Sequence, residues 1–247
     1  MTENTKTKTR TKTVTKKATN RRSTAKNGSS KNSSKEMILP LITLRALIIT
    51  PNSKLQITAA RDSSIAAFSY AQEQDEHNVA VFCQLNEADE KPEFKDLHKT
   101  GVICKLLSMT QKDANTHQCL ISGFERIKLI EIIDDENVPF RKARIQVLDE
   151  EVQSDKDVAD TLSVLKSCLQ YAIDSSDKTS RALIEDSVPK HLISSILEES
   201  SLSKLTDTLT QILKLDTQTK YMLLSSLNSV ERGRILISAL NGYSYKS

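Results

Sequence analysis

The apolar positions keep two different rhythms along the chain. Up to about residue 149 they come in short blocks divided by polar turns, and beyond residue 158 they recur every three or four positions. The first block, Met37–Pro51, reads MILPLITLRALIITP. Prolines near both ends and β-branched residues towards the far end argue for strand. Two short buried strand segments are expected there, with a bend near Arg45–Ala46. Asn52–Lys54 reads as a turn, and Leu55-Gln56-Ile57 alternates as a short strand should. Asp62 or Ser63 is placed to cap a helix whose apolar face holds Ile65, Phe68 and Ala71. Strands are then expected at 79–84, 101–107, 118–127 and 140–148, with a charged loop at 85–95 and a polar turn at 111–116. Gly123 falls mid-strand, where a missing Cβ permits a bulge or a close approach.

After an acidic linker at 150–157 the period becomes helical. Val158, Leu162, Leu165, Leu169 and Ala172 form one stripe. Further helices are expected from Ser187-Val188-Pro189, over Leu202–Leu213, after an Asp216 cap, and over Val230–Leu240 with Gly242 as the stop. The pattern divides the chain into a polar tail (1–36), a β-rich part (37–149), the linker, and a helical bundle of about five helices (158–243). The fold class is α+β: a curved, mainly antiparallel β-barrel or sheet with one helix, then an α-helical bundle.

Composition sharpens this picture in two ways. There is no Trp and only 4% aromatic residues, so the core has to be aliphatic. The formal charge of +3 hides an asymmetry: residues 1–36 carry eleven Lys or Arg against Glu3 and Glu36, while the remainder is net acidic. Such a tail cannot bury enough surface to offset its ordering entropy and is expected to be disordered. A solubilising arm, an arm for nucleic acid or another polyanion, and a transit peptide remain open for it. No apolar run reaches the roughly 18 residues of a membrane span, and no secretory core follows Met1, so a cytoplasmic location without membrane contact is expected.

Little in the chain suggests bond chemistry. The five glycines form neither a GxxxxGK[ST] phosphate loop nor a GxGxxG fingerprint, and no GxSxG elbow occurs. Cys83, Cys104, Cys119 and Cys168 lack CxxC spacing and lie in apolar patterns, as buried thiols do. His77, His98, His117 and His191 lack zinc-helix spacing. Carboxylates gather in loops such as Asp89-Glu90 and Asp134-Asp135-Glu136, where solvated charge is the plain account. No catalytic residue, metal or cofactor is expected.

Several segments resemble the Lon protease N-terminal (substrate-binding) domain family. Leu39-Pro40-Leu41-Ile42-Thr43-Leu44-Arg45 is similar to that family's LPLxPLR opening, with Thr43 at the second proline. Arg61-Asp62-Ser63-Ser64-Ile65-Ala66-Ala67 with Asp75 resembles its xSIxALxxAxxxD helix, with Ala60 at the family's glycine. Asp96–Leu107 resembles DLYxVGTVAKI, and Gln118–Ile127 resembles VLVEGLxRVxI. Leu202–Leu215 and Lys220–Leu224 look like the family's closing helices. The resemblance implies a PUA-like β domain followed by a bundle. It also implies a non-enzymatic module that binds unfolded or damaged polypeptide, with self-association or an ATP-dependent protease as further partners.

Unpaired strand edges could capture an extended peptide by strand addition. The candidate contacts are Ile49, Thr50, Pro51, Leu55 and Ile57, residue types that ordinary β core also uses. Two alternatives stand beside this reading. One is a nucleic-acid-binding module using the basic tail. The other is the front part of a split or truncated ATP-dependent Lon protease, whose ATPase and protease modules have no counterpart in these 247 residues.

Overall fold

The computed structural model describes residues 35–174 and 190–242. The basic tail up to residue 34, the expected helix start at Ser187–Pro189 and the last residues after Gly242 lie outside the described residues. Six strands and one helix come first: β1 (Glu36–Leu44), β2 (Lys54–Ala59), α1 (Asp62–Glu73), β3 (Asn78–Cys83), β4 (Thr100–Asp113), β5 (Thr116–Ile133) and β6 (Lys142–Val147). Five helices follow among the described residues: α2 (Asp155–Asp174), α3 (Lys190–Glu198), α4 (Leu202–Ile212), α5 (Thr217–Ser225) and α6 (Ser229–Leu240). The α+β class and the strand-then-helix order match the expectation.

The sheet runs β2-β5-β4-β3-β1-β6, and β6 returns to pair with β5. Five strands therefore close on one another as a small barrel, while β2 hangs from the first half of β5. All pairings are antiparallel except β1 with β3. Closure is possible because β5 spans 18 residues and changes partner along its length, with β2 and β4 at its start and β4 and β6 at its end. A register shift places Ile103 opposite Glu125 but Cys104 opposite Gly123, so the bulge expected at Gly123 is present. A Cβ on Gly123 would lie 2.5 Å from the Thr50 carbonyl oxygen, which is why only glycine fits.

Strand alternation feeds two cores. Leu41, Ala80, Phe82, Ile103, Ile127 and Ile145 fill the barrel. Their neighbours Ile42, Val81, Val102 and Cys104 face outward and pack beneath Ala67, Phe68 and Ala71 of α1. A third cluster, with Leu165, Leu169, Leu205, Leu209 and Leu236, holds the helices together. Full burial of each such side chain contributes about 1.5–3 kcal/mol. The described residues of barrel and helices fall in one compact unit.

Several boundaries differ from expectation. Leu47–Pro51 is not a second strand. Ala46 (φ 47°) and Asn52 (φ 58°) turn the chain at either end; within the segment the Thr50 amide bonds Gln211 instead of a ladder, and Asn52 and Ser53 just beyond it bond Gly123. The helix cap is Arg61 rather than Asp62 or Ser63; its carbonyl accepts from Ser64 and Ile65, and no side chain caps the turn. The polar turn shrinks to two residues because β4 and β5 run on as a long hairpin to Asp113 and Thr116. The last strand starts at Lys142, not Phe140, whose ring is buried beside Tyr70. The linker ends early: Ser154 Oγ accepts from Asp157 N (3.1 Å) and starts α2 at Asp155.

Candidate functional site

Only the first half of β1 is covered on its β6 side. Residues 36–40 pair with β6, and 41–44 pair with β3 alone. The last bond on the β6 side runs from Leu41 N to Arg141 O (2.9 Å). β2 pairs with β5 alone. These two part-paired strands border one cavity of about 340 Å³, lined by Ile42–Arg45 from one and Gln56–Ala60 from the other. Its floor is Ser64 and Phe68 of α1. A cavity over a strand's face would meet every second residue. Here consecutive residues line it on both sides, so it faces strand edges.

The cleft opens past Thr43, Ala60 and Arg61 into a wider chamber of about 740 Å³. That chamber is walled by Leu41, Pro92, Val138, Pro139 and Phe140 together with several charges. Arg61 stands at the junction. Its guanidinium donates to Thr43 Oγ1 (2.9 Å), Gln84 Oε1 (3.0 Å) and Asp89 O (3.1 Å). Burial, then Arg45, lowers its pKa from the ordinary arginine value.

The loop between β3 and β4 is held over the chamber by ion pairs. Arg45–Glu90 is 3.0 Å, Lys91–Asp134 is 3.8 Å and Arg141–Glu93 is 3.8 Å. Asp135 is fixed separately: Lys142 Nζ at 2.7 Å, then Asn137, hold its carboxyl down to about 2. Arg141 Nη1 is buried and has no hydrogen-bond partner.

A second polar assembly joins barrel to helices. Arg126 of β5 meets Asp207 of α4 through both guanidinium nitrogens and donates Nε to Leu224 O (3.0 Å). Arg232 of α6 bonds Thr206, Ser226 O, Ser203 and Glu150. Its Nε also lies 3.8 Å from Asp207. Arg126, Asp207 and Arg232 are all at most 5% exposed. Burial raises the Asp207 carboxyl against the pull of Arg126 and lowers Arg232. Burial would also raise Glu150, but the Ser203 hydroxyl and Arg232 outweigh it and hold the carboxyl below its usual value.

The expected contact residues divide between these places. Ile49, Thr50 and Pro51 are all buried, Ile49 in the core cluster beneath α1 and Thr50 against α4. Thr50 donates Oγ1 to Asp207 O (2.9 Å), and its amide donates to Gln211 Oε1 (3.2 Å). Ile57 is buried but lines the smaller cavity, and Leu55 is half-buried on the same strand. Sequence reading missed Arg61, Phe140 and Arg141 as groove residues; Glu90 and Asp134, read as solvated loop charge, are indeed exposed but also border the chamber. A cue existed: both acidic runs lie in loops that leave the C-terminal ends of strands, β3 and β5, where loops of one barrel rim converge. Among the described residues no cluster of three or more His, Cys, Asp or Glu could hold a metal.

Comparison with known proteins places this architecture. The family described as the ATP-dependent protease La (LON) substrate-binding domain matches residues 38–242. The chain belongs to this family. The Lon protease of Heliobacterium modesticaldum is 27% identical over 203 residues, 82% of this chain and 23% of that protein. That of Cytophaga hutchinsonii is 28% identical over 207 residues, 83% of this chain and 24% of that protein. The chain thus spans about a quarter of the length of the Lon proteases it matches. Among solved structures, the N-terminal domain of Mycobacterium avium complex Lon protease superposes with a TM-score of 0.66 at 19% identity, covering 84% of this chain and all of that one. The Xanthomonas campestris Lon N-terminal domain protein gives 0.57 at 12% identity, over 82% and 98%.

These matches fall on the non-catalytic substrate-binding part of the Lon architecture. The Lon-type resemblance read from degenerate motifs therefore stands, over nearly the residues that carried it. Among the described residues no helix is long and apolar enough to cross a membrane.

Proposed function

We propose that this Lon-family domain is a non-catalytic recognition module for unfolded or damaged polypeptide. The cleft between β1 and β2, opening into the chamber under the β3–β4 loop, is its contact surface. The observation that carries the reading is that two part-paired strand edges border one open cavity. A strand edge is a ready template for another chain, because its amides and carbonyls are aimed outward at fixed spacing. Such recognition is tolerant of sequence, as a module for many clients requires.

Within it, Ile57 and Leu55 are contact residues on β2. Ile49, Thr50 and Pro51 act from behind, as the buried approach to β2 that Thr50 ties against α4. Acting with an ATP-dependent protease, in the same chain or another, fits the length of the Lon proteases matched. A fluorescence titration of the whole chain tests the reading. An unfolded apolar protein should bind measurably tighter than a folded polar control of equal size. Equal affinity for the two would end it.

A further inference from the structure

We propose that the cleft takes an extended, cationic peptide segment as an added β-strand. The segment lies along β2, with its Lys or Arg side chains over the carboxylates of the wider chamber. This rests on the polypeptide-recognition reading and adds to it the client's conformation, its place and its side-chain chemistry.

The conformation follows from the edges. Peptide amides entering the cleft meet the backbone of Gln56–Ala60 on one wall and of Ile42–Arg45 on the other. An extended chain matches that spacing at about 3.3 Å per residue, whereas a helix satisfies its own amides and offers none. The cleft has apolar side chains on every side, Ile42 and Ile57 from its walls and Phe68 from its floor, each at most 8% exposed. An inserted strand would therefore set alternate apolar side chains downward and leave the others facing solvent.

The charge follows from the chamber. Of the five carboxylates in its lining, Glu90 is paired with Arg45, Asp134 with Lys91 and Asp135 with Lys142, which leaves Asp62 and Glu136. Of the lining cations, Lys91 faces Asp134 and Arg141 faces Glu93, while Arg61 donates to three neutral oxygens, Thr43 Oγ1, Gln84 Oε1 and the Asp89 carbonyl. Among the described residues, Asp62 and Glu136 have no ion-pair partner. Two unpaired carboxylates against the single charge of Arg61 thus stand next to the open end of a strand-shaped slot, which favours a basic segment over an acidic one.

A labelled peptide alternating Val with Thr and ending in two Lys provides the test, by fluorescence anisotropy with the whole chain. It should bind, and the unfolded apolar protein should compete it off. N-methylation of alternate peptide amides keeps the side chains but removes strand pairing, and should weaken binding at least ~10-fold. Replacing both Lys by Gln should weaken it about 3- to 10-fold and flatten the salt dependence. Asp62→Asn with Glu136→Gln, both at exposed positions, should reproduce the Lys-to-Gln loss. Equal binding of the N-methylated and parent peptides would overturn the strand mode. Salt-independent binding, or no difference between Lys and Gln peptides, would overturn the charge selection. If the unfolded protein binds but does not displace the peptide, or the peptide does not bind, the cleft is not the seat. Failure of the unfolded protein itself to bind would instead remove the underlying reading.

Discussion

Consider Asp207→Asn, a change of one atom at the junction of barrel and helices. Asp207 is 1% exposed, receives both guanidinium nitrogens of Arg126, and lies 3.8 Å from Arg232. In the native protein two arginines face two carboxylates, Asp207 and Glu150, so the assembly is neutral. The substitution leaves two buried guanidiniums facing Glu150 alone, at 3.6 Å from Arg126. Uncovering a buried charge in this way costs about 3–5 kcal/mol, a large part of a typical folding free energy of ~5–15 kcal/mol.

The lower end applies, because Arg126 keeps Leu224 O as a partner. With a urea m-value of about 2 kcal/mol/M, the midpoint of unfolding should fall by ~1.5 M. A control separates charge from packing. Arg126→Met with Asp207→Leu removes one arginine and one carboxylate and leaves Arg232 with Glu150, so it should recover most of the loss. Urea denaturation followed by circular dichroism reads both. A midpoint shift under about 0.3 M for Asp207→Asn, or a double variant as unstable as the sum of the single ones, would refute the reasoning.

Other expectations follow from single features. Gly123→Ala should cost ~1–3 kcal/mol, because its Cβ meets the Thr50 carbonyl at 2.5 Å and backbone must move; thermal unfolding checks it. Thiol labelling at pH 8 should find one fast cysteine, Cys168, which is half-buried, and three slow ones. Burial pushes Cys83 and Cys104 up and Cys119 to about 11, so two or more fast thiols in the native protein would contradict the packing. Acid should destabilise the fold progressively from about pH 4 downward. Glu150, Asp216 and Asp135, the last at about 2, have folded values below their unfolded ones, so their contribution is present above that range and lost as they protonate. Asp207 runs the other way, since burial raises it, and Lys142→Met should make the acid limb shallower by releasing Asp135.

Periodicity alone determined the two-part order of strands then helices, because alternating and 3.6-residue spacing are local consequences of which side chains must face inward. The bulge glycine was legible for the same reason: a missing Cβ inside an apolar strand has few other uses. Leu47–Pro51 was misread as strand because burial, not pairing, is what an apolar run reports. Leu47, Ile48 and Ile49 of that segment pack into the core beneath α1, and its Thr50 meets α4 and Gly123, partners that lie farther along the chain. The Arg126–Asp207–Arg232–Glu150 assembly was equally hidden, since its members are separated by up to 106 positions and each alone looks like a surface charge. The cleft belongs wholly to tertiary structure. It exists because β5 is long enough to pair with β2 before closing the barrel with β6, leaving the edges of β1 and β2 facing across a gap. Register and closure are sums of distant contacts, and a linear pattern states what each residue prefers but not which residue it will meet.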